Sequence, residues 1–331
     1  MKKIFKYIFA GMAAMSVVAC SEDALETSPS SSVSGNELLG TATNALVSLN
    51  GVYRAMYTAG VSNSSNTHQC FGITAYNLVA DVMGEDCIMN GQGSGWFWYD
   101  CVYNVKSRYT STGWRSYDMW NGYYTWISNV NYILAEEETM SGSETEKNYV
   151  LGQAYAVRAY SYFMLAQMFS RTYKGHESEP CVPLYTEPTD IATEGKGRAT
   201  VEEVYQQITS DLDKAITMLG NSGKRKHISH SNEAVASGIK ARVALVMEDW
   251  ENAEKYAKLA QAGYQLMGEA DYTDSDTGFN TPNSSWMFGL KFKDTDDNIL
   301  LNDADSSWGS FMCLEVNGSG CGYASSYGHQ F

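Results

Sequence analysis

The sequence predicts a mainly α-helical fold, a scaffold of stacked helix pairs that carries a loop-rich face. From Asn44 to Met267, apolar residues recur three and four positions apart along most of the chain. Two of these stretches open on a Ser/Thr-x-x-Glu capping box, in which the hydroxyl accepts from the N3 amide and the Glu side chain reaches back. Small residues at fixed places in up to three helix pairs let backbones approach closely, as in tetratricopeptide-type repeats, although no strict repeat identity is present.

Taken in order, Asn44–Met56 places Leu46, Leu49, Val52, Tyr53 and Met56 at helical spacing, and Gly60–Thr67 reads as a polar loop. Tyr117–Leu134 has two apolar faces, one with Trp120, Tyr124 and Ile127 and one with Tyr123, Trp126 and Val130. A helix apolar nearly all round is expected at the centre of the fold. The aromatics from Tyr117 to Tyr132 are therefore read as core.

The box Ser143/Glu146 starts a long helix reaching about Arg171, and Thr200/Glu203 starts another through Val204, Ile208, Leu212 and Ile216. Between them, Glu179–Pro188 is held extended by three prolines, and Ile191–Arg198 is a Gly-containing connector. After a basic turn, Asn221–His230, two helices follow almost without a loop, Asn232–Glu248 and Trp250–Met267. Beyond Met267 the helical period stops, and loops with short strands are expected around Trp286–Leu290 and Phe311–Leu314.

Composition narrows the function. The 331 residues are 44% hydrophobic and 18% charged, which supplies a sizeable core. A net charge of −15 makes nucleic acid an unfavourable partner. Aromatics reach 13%, with 23 Tyr and 8 Trp, and so many rings must fill a core or present stacking surfaces.

The first residues carry an export signature. Lys2, Lys3 and Lys6 precede an apolar run too short to span a bilayer, which ends in Val17-Val18-Ala19-Cys20. That ending matches a lipobox, so residues 1–19 are expected to be a signal peptide and Cys20 the lipidated first residue of the mature chain. The acidic, Ser-rich stretch over 20–37 then reads as a tether. The other six cysteines, Cys70, Cys87, Cys101, Cys181, Cys313 and Cys321, are compatible with bridges or with buried thiols.

Trp96-Phe97-Trp98-Tyr99 follows a Gly-rich stretch rather than a periodic helix, and it is the strongest ligand candidate. A sugar offers an apolar C–H face to an aromatic ring, and its hydroxyls need amides and carboxylates. Asp81, Asp86, Asn90 and Asp100 are near in sequence and suited to that role. The competing reading has alternate rings plugging the core as in a strand. Trp308, Tyr323 and Tyr327 offer a second platform in the loop-rich tail.

His227 and His230 sit in a basic turn with no H-E-x-x-H pattern, so a solvated loop is expected rather than a metal site. Asp294-Thr295-Asp296-Asp297-Asn298 and Asp274-Ser275-Asp276 are oxygen-rich, but counted from Asp294 the EF-hand positions fall on Ile299 and Asp305. Only an irregular Ca²⁺ site is open there, and no other cofactor is indicated. No nucleophile elbow, Walker loop or dinucleotide fingerprint is present, and no catalytic residue is singled out.

In order and spacing the chain resembles the SusD/RagB family of outer-membrane nutrient-binding lipoproteins. The matching pieces are the lipobox, Leu49-Asn50-Gly51-Val52-Tyr53, Asp81–Asp86, Trp120–Tyr132, and Gly152–Phe169 with Arg158-Ala159-Tyr160-Ser161-Tyr162-Phe163. Val182-Pro183-Leu184, Arg198–Leu219 and Ala241-Arg242 through Ala257 complete them. The resemblance implies a tetratricopeptide-like domain over residues 38–331. It also implies a lipid anchor in the outer membrane facing the cell exterior, and capture of oligosaccharides. The implied partner is a TonB-dependent, SusC-like transporter, and no chemistry is performed. Family members usually run longer, so the chain is expected to lack a C-terminal portion of the domain. Two other readings remain, a tetratricopeptide-like scaffold for a protein partner and a lipid-anchored glycoside hydrolase.

Overall fold

The computed structural model describes residues 39–63, 69–84, 97–103, 113–274 and 281–290, all within the unit Leu39–Phe331. Its helices are α1 (Ala42–Ala55), α2 (Ile73–Met83), α3 (Trp98–Cys101), α4 (Trp114–Ala135) and α5 (Glu144–Phe169). These are followed by α6 (Val201–Gly220), α7 (Glu233–Val246), α8 (Trp250–Gln261) and α9 (Glu269–Thr273). Among the described residues there is no strand, only two isolated bridges, Thr41 with Ser141 and Pro180 with Thr200. The mainly helical, tetratricopeptide-like reading therefore holds, while the segment Trp286–Leu290, where a short strand was expected, is irregular backbone.

Helix starts follow the chemistry of their caps. Ser143 Oγ accepts from Glu146 N at 3.3 Å while Ser143 N donates to Glu146 Oε2 at 3.1 Å. Thr200 and Glu203 repeat the arrangement at 3.2 and 2.8 Å. Thr41, Asn232 and Asp249 cap α1, α7 and α8 through their side chains. Each such cap satisfies amide donors that no intrahelical carbonyl can reach, and contributes about 1 kcal/mol.

The centre of the fold is α5 rather than α4. From Tyr149 to Ala166, α5 is buried on every side except at Tyr160, and it packs against α1, α4, α6 and α7. The helix 117–134 was expected in that place, but α4 buries one face, with Met119, Tyr123, Trp126, Ile127 and Val130. On its other face Tyr117 and Tyr132 are exposed and Trp120 and Tyr124 are half-buried, so only some of these rings are core. At the α5–α6 contact, Gly152 is required. A Cβ there would lie 2.8 Å from Leu219 Cγ.

Buried polar side chains pin this scaffold. Arg158 on α5 donates from Nε and Nη2 to Asp211 on α6, each at 2.8 Å, and from Nη1 to Asn131 Oδ1 on α4 at 2.9 Å. Arg158 Nη1 also reaches Thr186 O at 3.0 Å. The extended connector 170–200 has almost no ladder of its own, so α4 and α5 side chains satisfy its carbonyls. Tyr124 donates to Pro183 O, Tyr162 to Tyr185 O and Asn131 to both Tyr185 O and Glu187 O.

α7 and α8 are joined by Met247–Asp249, with Glu248 in the left-handed region at φ 59°. Both helices are shorter than the sequence pattern suggested. α8 ends at Gln261, where Gly263 turns the chain at φ 88°. Helix α2 had no sequence-based expectation at all; its N-cap, Gly72, offers no side-chain bond. The described cysteines Cys70, Cys101 and Cys181 are free thiols.

His230 corrects another expectation. It is buried, not solvated, and its ring lies 5.7 Å from that of Tyr53. Nε2 is 2.7 Å from Asn50 Oδ1, and Nδ1 is 2.7 Å from the Tyr149 hydroxyl. Asn50 Oδ1 can only accept, so Nε2 carries the proton and Nδ1 accepts from Tyr149. Burial, aided by neighbouring His227, Lys226 and Arg225, pushes this imidazole down to about 4.

Candidate functional site

Two structured stretches meet beside the N-terminus of α4. One is the segment before α2, with Gln69, Cys70 and Phe71 buried; the other is the turn Phe97–Tyr103 that contains α3. Phe97 is 1% exposed and meets Phe71 edge-on with ring centroids 6.0 Å apart. Phe97 N donates to Gln69 Oε1 at 2.9 Å.

Arg115, at the start of α4, locks the turn in place. Its Nη1 donates to Gln69 O at 2.8 Å, and its Nη2 donates to Asp100 Oδ2 at 3.1 Å. The guanidinium also lies 4.9 Å from the Phe97 ring centre and 4.2 Å from that of Trp114. Arg115 and Asp100 are both buried and each charge is compensated by the other, with Gln69 accepting further bonds from the guanidinium.

With Phe97 and Asp100 turned inward, the remaining side chains of the turn face out. Trp98 is half-buried and Tyr99 is 49% exposed, with Val102 and Tyr103 also exposed. The Tyr103 hydroxyl donates to Met83 O at the end of α2. Phe97 and Tyr103 both have left-handed backbones, at φ 54° and 52°. For non-glycine residues such a conformation costs about 1–3 kcal/mol, and it persists only where the surroundings enforce it. The clamp of Arg115, Asp100 and Gln69 is such a constraint.

The sequence-level candidates map onto this turn unevenly. Trp98 and Tyr99 lie on its outer side. Asp81 is exposed on the last turn of α2, against which α3 packs. Asp100, considered as a hydroxyl reader, is instead buried in the ion pair with Arg115. The strand-like alternation of rings is also replaced, because a helical turn buries positions 97 and 100. Trp96, Asp86, Asn90, Trp308 and Tyr323 lie outside the described residues, as do Cys20 and Asp294–Asn298. Gln69 and Arg115, which hold the turn, went unnoticed in the sequence, since nothing local marks Gln69 as a partner of position 97 or Arg115 as a partner of position 100.

A profile of the SusD-like_3 family, described as "Starch-binding associating with outer membrane", matches residues 50–245. The chain belongs to the SusD-like family. No curated protein sequence matches it. Among solved structures, a SusD-like carbohydrate binding protein from Bacteroides vulgatus is 26% identical with a TM-score of 0.69, covering 86% of this chain and 56% of its own. A second Bacteroides vulgatus protein, described as a putative sugar binding protein, is 24% identical with a TM-score of 0.60 over 76% of this chain and 54% of its own. A laminarin binding SusD-like protein shares the fold at 22% identity and a TM-score of 0.51, covering 70% of this chain and 48% of its own. This SusD-like chain therefore spans about half the length of the solved structures it matches.

Proposed function

We propose that this SusD-like protein is a cell-surface glycan-binding lipoprotein that captures oligosaccharides for import and catalyses no reaction. In this reading residues 1–19 are a signal peptide, Cys20 carries the lipid and residues 20–37 are the tether. The helical domain from residue 38 hands its ligand to a TonB-dependent, SusC-like transporter in the outer membrane. Trp98 and Tyr99, with Trp96, supply the stacking faces; Asp81, Asp86 and Asn90 read hydroxyls.

The observation that carries the reading is the half-buried Trp98 beside the exposed Tyr99, on a turn held from beneath by a buried ion pair. Exposed rings on a rigid, strained loop are costly without a ligand to cover them. Rigidity also lowers the ordering cost of binding. The carbohydrate binding of the first structural relative supports the ligand class.

Isothermal titration with maltoheptaose, laminarihexaose and other oligosaccharides, against wild type and Trp98→Ala/Tyr99→Ala, tests the platform. We expect affinity for at least one glycan to fall ten-fold or more in a variant with an unchanged circular dichroism spectrum. Unchanged affinity in the double variant would sink the platform assignment.

A further inference from the structure

A second cleft, of about 320 Å³, lies between α4 and the extended connector. Its floor is aromatic. Trp120 and Tyr124 are 4.8 Å apart between ring centroids, and Tyr124 meets Tyr185 edge-on at 6.1 Å. Trp120 is braced from behind by Phe169, perpendicular at 5.0 Å. The rim is polar, with Ser128, Thr189, Asp190 and Thr193.

These rim groups are already ordered. Ser128 Oγ and Thr189 Oγ1 are 3.4 Å apart, bridging helix and connector. Asp190 Oδ1 accepts from Ala192 N at 3.0 Å and from Thr193 Oγ1 at 2.9 Å, and these bonds hold its carboxyl below the usual range. The cleft backbone is also fixed, since Tyr124 spends its hydroxyl on Pro183 O and Asn131 binds two connector carbonyls. Lys196 Nζ lies over the Tyr185 ring, 5.2 Å from its centre, so Trp120 and Tyr124 are left as the aromatic contact surface, while hydroxyls and one carboxylate ring the opening.

We propose that this cleft is a second carbohydrate subsite, separate from the Trp98–Tyr99 turn, that takes one or two rings of a neutral pyranose chain. An apolar floor matches the C–H face of a pyranose, and a rim of hydroxyls and carboxylate matches its equatorial hydroxyls. The volume lies at the lower end for small-molecule sites, which sets the ligand at one or two rings. The Asp190 carboxylate lines the cleft, whereas the nearby cation, Lys196, is engaged over the Tyr185 ring and does not line it, so uronic acid and sulfated sugars are disfavoured. The inference rests on the glycan-capture reading for the ligand's class, but it shares no residue with the turn.

Indole ¹⁵N–¹H signals of the tryptophans, assigned by substitution, provide the test. Maltoheptaose, laminarihexaose, xylohexaose and oligogalacturonate are titrated into wild type, Trp98→Ala/Tyr99→Ala and Ser128→Ala/Thr189→Ala. The last variant removes two hydroxyls and one methyl and leaves every ring in place, so it keeps the test valid if Trp120→Leu fails to fold. The expected result is a Trp120 shift with a neutral glycan that persists in the Trp98/Tyr99 variant and weakens five-fold or more in the Ser128/Thr189 variant. A Trp98 shift without a Trp120 shift would overturn the second subsite and leave the first platform standing. Loss of the Trp120 shift in the Trp98/Tyr99 variant would do the same. No shift with any saccharide would overturn both.

Discussion

Arg158 and Asp211 form a two-pronged ion pair, with both N···O distances at 2.8 Å, that ties α5 to α6 in the interior. Both are buried, and Gln207 donates a further bond to Asp211 Oδ1 at 2.9 Å. Removing either partner leaves an uncompensated charge in the core. Arg158→Met and Asp211→Leu are each expected to lower unfolding free energy by about 3–5 kcal/mol. The double variant should recover part of that loss. Urea denaturation of all three variants checks this, and additive losses in the double variant would refute the pairing argument.

The buried imidazole of His230 makes stability depend on pH. Its folded value, about 4, lies below the ordinary value of 6.5, so between these the unfolded chain binds more protons. Stability is then complete above pH 6.5 and falls as pH drops toward 4. Each unit is equivalent to about 1.4 kcal/mol, so on the order of 2 kcal/mol is at stake after allowance for solvent screening. Urea midpoints at pH 7.5 and pH 5.0 should differ in wild type, and the difference should shrink in His230→Gln. An equal pH response in that variant would place the effect elsewhere.

Gly152 tests the closeness of the α5–α6 contact. An added methyl meets Leu219 Cγ at 2.8 Å and Met218 Cβ at 3.1 Å, and both neighbours sit on a helix that cannot easily retreat. Gly152→Ala gains helix propensity, yet the clash dominates, and a loss of about 1–3 kcal/mol is expected. Gly152→Ala/Leu219→Ala should regain some of it, read as the thermal midpoint. A rise in midpoint for the single variant would show that the helices have room.

Arg115 connects stability to binding. Arg115→Met removes the partner of Asp100 and the donors to Gln69, so it should both destabilise the protein and release the turn. Asp100→Asn keeps a hydrogen bond while losing the charge, and its effect should be smaller. If the turn is the platform, glycan affinity falls in the order wild type, Asp100→Asn, Arg115→Met, measured by titration on folded protein. Full affinity in Arg115→Met would show that the clamp does not orient Trp98 and Tyr99.

Much of the scaffold was legible because its signals are local. Ser143 with Glu146 and Thr200 with Glu203 are read within four residues, and both boxes form as written. α2 was missed although Ala75, Tyr76, Val79 and Val82 recur at helical spacing, because Gly72 supplies no side-chain cap to mark its start. His230 was misread because its neighbours in sequence are basic, whereas Asn50 and Tyr149 lie 180 and 81 residues away. Within the turn, the aromatic run was visible but its support was not, since Gln69 lies 46 residues from Arg115. The roles of Trp120 and Tyr124 were obscured by their helical spacing, which reads the same whether a ring enters the core or borders a cleft.

The burial of α5 also sets how the molecule comes apart. A rod enclosed by α1, α4, α6 and α7 cannot fray from one side while the rest stays folded. Its amides should therefore exchange with solvent deuterium only through global opening, whereas those of α8, where only Ala260 is buried, exchange through local opening. The slowest-exchanging amides of α5 would then serve as an internal gauge of total stability, readable in one spectrum without denaturant.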